Sequence, residues 1–152
     1  MSEVTKASAA EWEVLRVIWS LDEATSRSVS EVLKETQNWE VATTKTLLGR
    51  LVKKGYLKTT KEGNHFVYTA TLSEKESVNR RVNRLFDSIC QAGIGKAIAS
   101  VIEDYDLSVS DKQLILEALN NKTFKAKLNC DCLTKDDGTC NCDHEDCECK
   151  RL

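Results

Sequence analysis

Apolar positions in the first part of the chain recur every three or four residues, the spacing of one face of a helix. In AEWEVLRVIWSL, residues 10–21, the row is Trp12, Leu15, Ile18 and Trp19, and it gives way to a polar Asp22-Glu23 turn. The spacing predicts a first helix there. A second, short helix is predicted over 26–35, with Thr25 or Ser28 as its N-cap and Val29, Val32 and Leu33 as its buried stripe. A third is predicted over 43–54, with Leu47, Leu48, Leu51 and Val52 on one side and Thr44, Lys45, Gly49 and Lys53 toward the other. Lys53, Lys54 and Gly55 form its stop signal, because cations favour the negative end of the helix dipole and glycine accepts the left-handed conformation.

The period then changes. Residues 56–61 and 65–71 are rich in β-branched and aromatic side chains and flank Glu62-Gly63-Asn64, which predicts a two-stranded hairpin. Three helices followed by a hairpin are the parts of a winged helix. Ser73 and Glu76 then form a capping box that opens a fourth helix. Its apolar stripe is Val78, Val82, Leu85, Phe86 and Ile89, with Arg80, Arg81, Arg84 and Asp87 around it. Fifth and sixth helices are predicted over 94–105 and 107–119, the latter carrying Leu114, Ile115, Leu116 and Leu119. Such helices are too small to enclose a core of their own, so two chains are expected to pool them in a homodimer. From 129 onward the chain is polar, acidic and cysteine-rich, and disorder is expected there without metal. The expected architecture is mainly α, in three parts. A winged helix-turn-helix DNA-binding domain occupies 1–72, a helical dimerisation region 73–128 and a flexible cysteine-rich metal-binding tail 129–152.

Composition narrows the function classes. A chain of 152 residues without proline suits one compact helical domain with attachments. No apolar run approaches the ~18 residues of a membrane span, and residues 1–10 lack the apolar core of a secretion signal. A cytoplasmic protein with no membrane partner is expected. The formal net charge of −2 hides a segregation: residues 129–152 carry −4, leaving +2 on the remainder. Between 41 and 61 stand Lys45, Arg50, Lys53, Lys54, Lys58 and Lys61 with no acid, a local cationic surface. No nucleophile-base pair, phosphate loop or carboxylate pair stands out, which points to binding rather than catalysis.

On a recognition helix and wing those residues have a specific use. Thr43, Thr44, Lys45 and Thr46 are short or flexible enough to reach base edges in the major groove of double-stranded DNA. Arg50, Lys53, Lys58 and Lys61 are phosphate candidates, whose charge carries affinity but little sequence information. His65 in the wing reads as a surface or phosphate-contacting residue.

Six of the seven cysteines fall in the tail as three Cys-x-Cys pairs: Cys130 with Cys132, Cys140 with Cys142, and Cys147 with Cys149. A disulfide framework would be spread through the fold, and a reducing compartment leaves these thiols to metal. Thiolate favours Cu(I) and Zn(II); four thiolates close a tetrahedral Zn(II) site, whereas Cu(I) takes fewer sulfurs per ion. The spacing leaves the ion and the count open. His144 lies within the tail motif as a bystander, and Cys90, near the end of the fourth helix, reads as a small buried hydrophobe.

The stretches AEWEVLRVIWSL, TTKTLLGRLVKKGYL and HFVYTATLS, with CNCDHEDCEC at the end, resemble the penicillinase-repressor family of winged-helix proteins and, within it, the CopY-type copper-responsive repressors of Gram-positive bacteria. The resemblance implies a homodimer that holds an inverted-repeat operator ahead of copper-export genes in a zinc-bound state. It also implies release when Cu(I), delivered by a copper chaperone, replaces Zn(II). It assigns the recognition helix to 43–50, the wing to 58–68 and the metal ligands to Cys140, Cys142, Cys147 and Cys149. Cys130 and Cys132 lie outside that four-cysteine motif, and Gly49 stands inside the recognition helix. Two other functions fit the same residues: a cytosolic metal buffer or chaperone, and a repressor sensing Zn(II) or Cd(II).

Overall fold

The computed structural model describes residues 6–129, so the tail cysteines and His144 lie outside the described residues. The first two helices begin where a hydroxyl can satisfy their unpaired amides. Ser8 caps α1 (Ala9–Ser20), its Oγ accepting from the Glu11 amide at 3.2 Å while the Glu11 carboxylate accepts from the Ser8 amide at 2.8 Å. At α2 (Ser26–Gln37) both candidate caps act together: Thr25 is the N-cap, and Ser28 Oγ accepts from the Thr25 amide. The helix ends at Asn38, whose φ of 56° turns the chain, and α3 (Val41–Lys53) starts shortly after, earlier than the sequence pattern suggested. Lys54 closes α3 and Gly55 follows with φ +81°, the left-handed residue expected there.

Between α1 and α2 lies a two-residue strand, β1 (Ala24–Thr25), too short to carry a periodic signal. The hairpin consists of β2 (Leu57–Glu62) and β3 (His65–Ala70). Glu62 joins the ladder opposite His65, so the connection is only Gly63-Asn64, with Gly63 at φ +60°. β1 pairs with the other edge of β3, giving an antiparallel sheet in the order β1-β3-β2.

The core is built from one row of each helix. Val14, Leu15 and Ile18 of α1, Val29 and Leu33 of α2, and Leu47, Leu48 and Leu51 of α3 close over Leu57 of β2. Leu48 is fully buried, and its truncation to alanine would cost about 3 kcal/mol. Trp19, half-buried beside this core, donates its indole N–H to the Leu72 carbonyl at 3.1 Å, which fastens the end of the wing segment to α1. The result is a winged helix: α2 and α3 form the helix-turn-helix, and β2 and β3 the wing.

The chain divides into two compact units, 1–80 and 81–152, with the division inside α4 (Glu74–Asp87). The expected capping box is present, Glu76 accepting from the Ser73 amide at 3.1 Å and Ser73 Oγ from the Glu76 amide at 3.2 Å. These bonds, the backbone one first, hold the Glu76 carboxyl below its usual range. α4 stops at Asp87, so Ile89 and Cys90, expected on its apolar side, instead precede a 3-10 turn at Gln91–Gly93, and Cys90 is only half-buried. α5 (Ile94–Asp104) follows, then α6 (Val109–Asn120), which starts after a Ser108–Asp111 capping box that the apolar pattern did not announce. Among the described residues no apolar side chain after Leu57 is buried; Val78, Val82, Leu85, Val101, Leu114 and Leu119 all remain exposed. No single helix among the described residues is long and apolar enough to cross a membrane.

Candidate nucleic-acid interface

The helical period decides which residues of α3 face outward. Thr44, Leu47, Leu48 and Leu51 follow the i, i+3, i+4, i+7 row that packs on α1 and α2, and all four are buried. Thr43, Lys45, Thr46, Gly49, Arg50 and Lys53 occupy the remaining face and are exposed. Thr44 therefore does not belong with the residues available to bases. It is completely buried, and its hydroxyl has no hydrogen-bond partner among the described residues. The reason is its position: it is one turn before Leu47 and Leu48 and extends their row toward the helix start.

Thr46 is exposed, but its hydroxyl donates to the Ala42 carbonyl at 2.9 Å. The oxygen's lone pairs and the methyl group remain available, so Thr46 can accept from a base or touch a thymine methyl. Gly49 has no heavy atom within 4 Å of where a Cβ would stand. Packing does not demand glycine here, and its bare backbone leaves a shallow spot in the outward face.

Lys45, Arg50 and Lys53 on α3, and Lys58 and Lys61 on β2, are exposed and take part in none of the salt bridges among the described residues. Unpaired surface cations retain their full charge for an external anion. Strand alternation sets Lys58, opposite Thr69, and Lys61, opposite Phe66, on opposite faces of the wing. Phe66 is itself half exposed. Lys54 is different from its neighbours: its ammonium lies 2.7 Å from the Glu11 carboxylate and donates to the Lys6 carbonyl at 3.1 Å, so it is committed to the fold.

His65 sits beside acids rather than in the cationic row. Its Nε2 is 3.4 Å from Glu23 Oε1, and Glu62 stands opposite it in the ladder. Glu23 and Glu62 read in the sequence only as turn residues, because they meet His65 only once the wing has folded. The arrangement as a whole offers an exposed helix face with short polar side chains at its N-terminal end, flanked by cations, and a projecting hairpin with a lysine on each face. Its shape and charge suit the major groove and backbone of duplex DNA.

Comparison with known proteins finds a matching family and several relatives. Residues 7–121 match the family described as Penicillinase repressor. An uncharacterised 16.5 kDa protein from the ptsI 3' region of Latilactobacillus sakei is 40% identical over 149 residues, spanning 96% of this chain and all of that protein. The penicillinase repressor of Bacillus licheniformis is 30% identical over 125 residues, spanning 80% of this chain and 98% of that protein. The solution structure of monomeric Bacillus licheniformis BlaI with the blaP half-operator shares 39% identity over 50% of this chain and 93% of that one, with a TM-score of 0.44.

Proposed function

Since this chain belongs to the penicillinase repressor family and is a winged-helix transcriptional repressor rather than an enzyme, we propose that it is a copper-responsive member. In this reading a homodimer holds an inverted-repeat operator of copper-homeostasis genes and is released by Cu(I). The observation that carries the DNA contact is the outward face of α3, where Lys45, Arg50 and Lys53 are exposed without ion pairs around Thr43, Thr46 and Gly49. Thr43, Lys45 and Thr46 meet base edges; Arg50, Lys53, Lys58 and Lys61 meet phosphates.

The dimer is supported by what α4 to α6 leave uncovered. Val78, Val82 and Leu85 are 41%, 43% and 61% exposed at helical spacing, an apolar row that a lone chain would leave in water. A dimer also matches the two half-sites of an inverted repeat.

The metal reading rests on the donor set. Cys140, Cys142, Cys147 and Cys149 fit a thiophilic ion, and four thiolates would hold Zn(II) with no open position. Cu(I) is the effector ligand here, since it binds thiolate strongly and needs fewer sulfurs per ion; a copper chaperone is its expected donor. Cys130 and Cys132 supply two further thiols outside the four-cysteine motif.

The test is anisotropy of labelled DNA from upstream of the protein's own gene, titrated anaerobically with Cu(I), Zn(II) and Cd(II) in turn. Cu(I) is expected to release the DNA and Zn(II) to preserve the complex. Serine at Cys140, Cys142, Cys147 and Cys149 together should leave the circular dichroism spectrum unchanged and abolish release, while serine at Cys130 and Cys132 has the smaller effect. Release by Zn(II) or Cd(II) instead of Cu(I), or persistence of Cu(I) release in the quadruple variant, overturns the reading.

A further inference from the structure

Three potential metal ligands converge at the wing of the DNA-binding domain, far in sequence from the tail cysteines. Glu23 precedes β1, Glu62 ends β2 and His65 begins β3. Their nearest ligand atoms all lie within 4.8 Å of one another, and the His65 to Glu23 contact is 3.4 Å. Glu62 and His65 are direct partners in the ladder across the Gly63-Asn64 turn, so their separation is set by the hairpin itself. All three side chains are open to solvent.

Two carboxylates this close can share one cation, and the imidazole offers a ring-nitrogen lone pair as a third donor. A divalent cation answers both features. Mixed imidazole and carboxylate donors suit Zn(II) and its first-row neighbours, whereas Ca(II) and Mg(II) favour sites built from oxygen alone.

We propose that Glu23, Glu62 and His65 form a second metal site, for a borderline divalent cation of the Zn(II) class, within the winged helix. Three protein ligands leave a coordination position for water, unlike the closed set that four thiolates would make. The ion's effect is to tie the end of the wing to the segment that leads into α2, and to neutralise the acids that stand among the wing's lysines. The site depends on none of the tail cysteines and stands or falls separately from copper sensing.

The experiment uses the full chain with all six tail cysteines replaced by serine, which removes every competing tail thiolate. Zn(II) titration by calorimetry is expected to show one saturable site per chain, with affinity falling by about tenfold or more on His65→Asn and on Glu62→Gln. Glu23→Gln gives the same reading at a third exposed position. In nitrogen-detected NMR, Zn(II) should shift the His65 ring resonances, and Mg(II) at the same concentration should not. His144→Asn should leave binding as it was. Absence of saturable Zn(II) binding, binding unchanged by His65→Asn, or binding abolished by His144→Asn overturns the proposal.

Discussion

The Lys54 ammonium lies 2.7 Å from the Glu11 carboxylate and so joins the end of α3 to the first turn of α1. Glu11 is only 2% exposed. Burial pushes its carboxyl up, but the hydrogen bond and charge of Lys54 and the Ser8 amide and hydroxyl outweigh this and leave it below its ordinary 4.5. A depressed acid stabilises the fold above its unfolded value, and that contribution disappears as the pH falls through the folded value. The melting temperature of the native chain should therefore exceed that of Glu11→Gln near neutrality, and the gap should close below about pH 4.5. A gap that does not change with pH would show that the ion pair contributes nothing.

The same pair separates two adjacent lysines. Lys53→Gln should leave the melting temperature nearly unchanged and flatten the slope of log affinity against log salt by about one unit, the signature of one lost phosphate contact. Lys54→Met should do the reverse. It strands the buried Glu11 charge, at a cost on the order of 3 kcal/mol, without removing a contact to DNA. Thermal melts and salt-dependent anisotropy on the two variants check both halves.

Thr44 is a core residue, and its two substitutions should diverge. Thr44→Val keeps the shape and removes a buried hydroxyl that lacks a partner, so stability should hold or rise by about 1 kcal/mol. Thr44→Ala loses the packing of the methyl group and should cost about 1 kcal/mol. Neither should alter which operator bases are preferred, whereas Thr46→Ala should. A change of base preference in Thr44→Val, read by competition with single-base operator variants, would return Thr44 to the interface.

Leu85 is the most exposed of the three apolar residues spaced along α4. Leu85→Asp places a charge in the proposed seam between chains and should weaken dimerisation by about tenfold or more. Sedimentation equilibrium reads the change, and an unaltered dimer would move the seam away from α4.

The sequence by itself determined the parts of this protein. Apolar period, capping residues and turn residues are local properties, so α1 to α6, the Gly55 stop and the wing were all legible, as was the crowding of unopposed cations between residues 41 and 61. Family membership was legible too, through stretches that span the domain. What only the tertiary structure decided depends on residues distant in the chain. β1 exists because β3 offers it an edge, and two residues carry no period. Thr44 stands in the row of Leu47, Leu48 and Leu51, and only the packed structure shows that this row stays buried as far as a polar residue of the first turn. Lys54 left the cationic row because Glu11, distant in sequence, captured it. Glu23, Glu62 and His65 became a cluster only when the hairpin closed and brought the turn before β1 alongside. Local pattern selects each element, but which polar side chain meets which is set by the register and packing between elements, and no window along the chain contains that information.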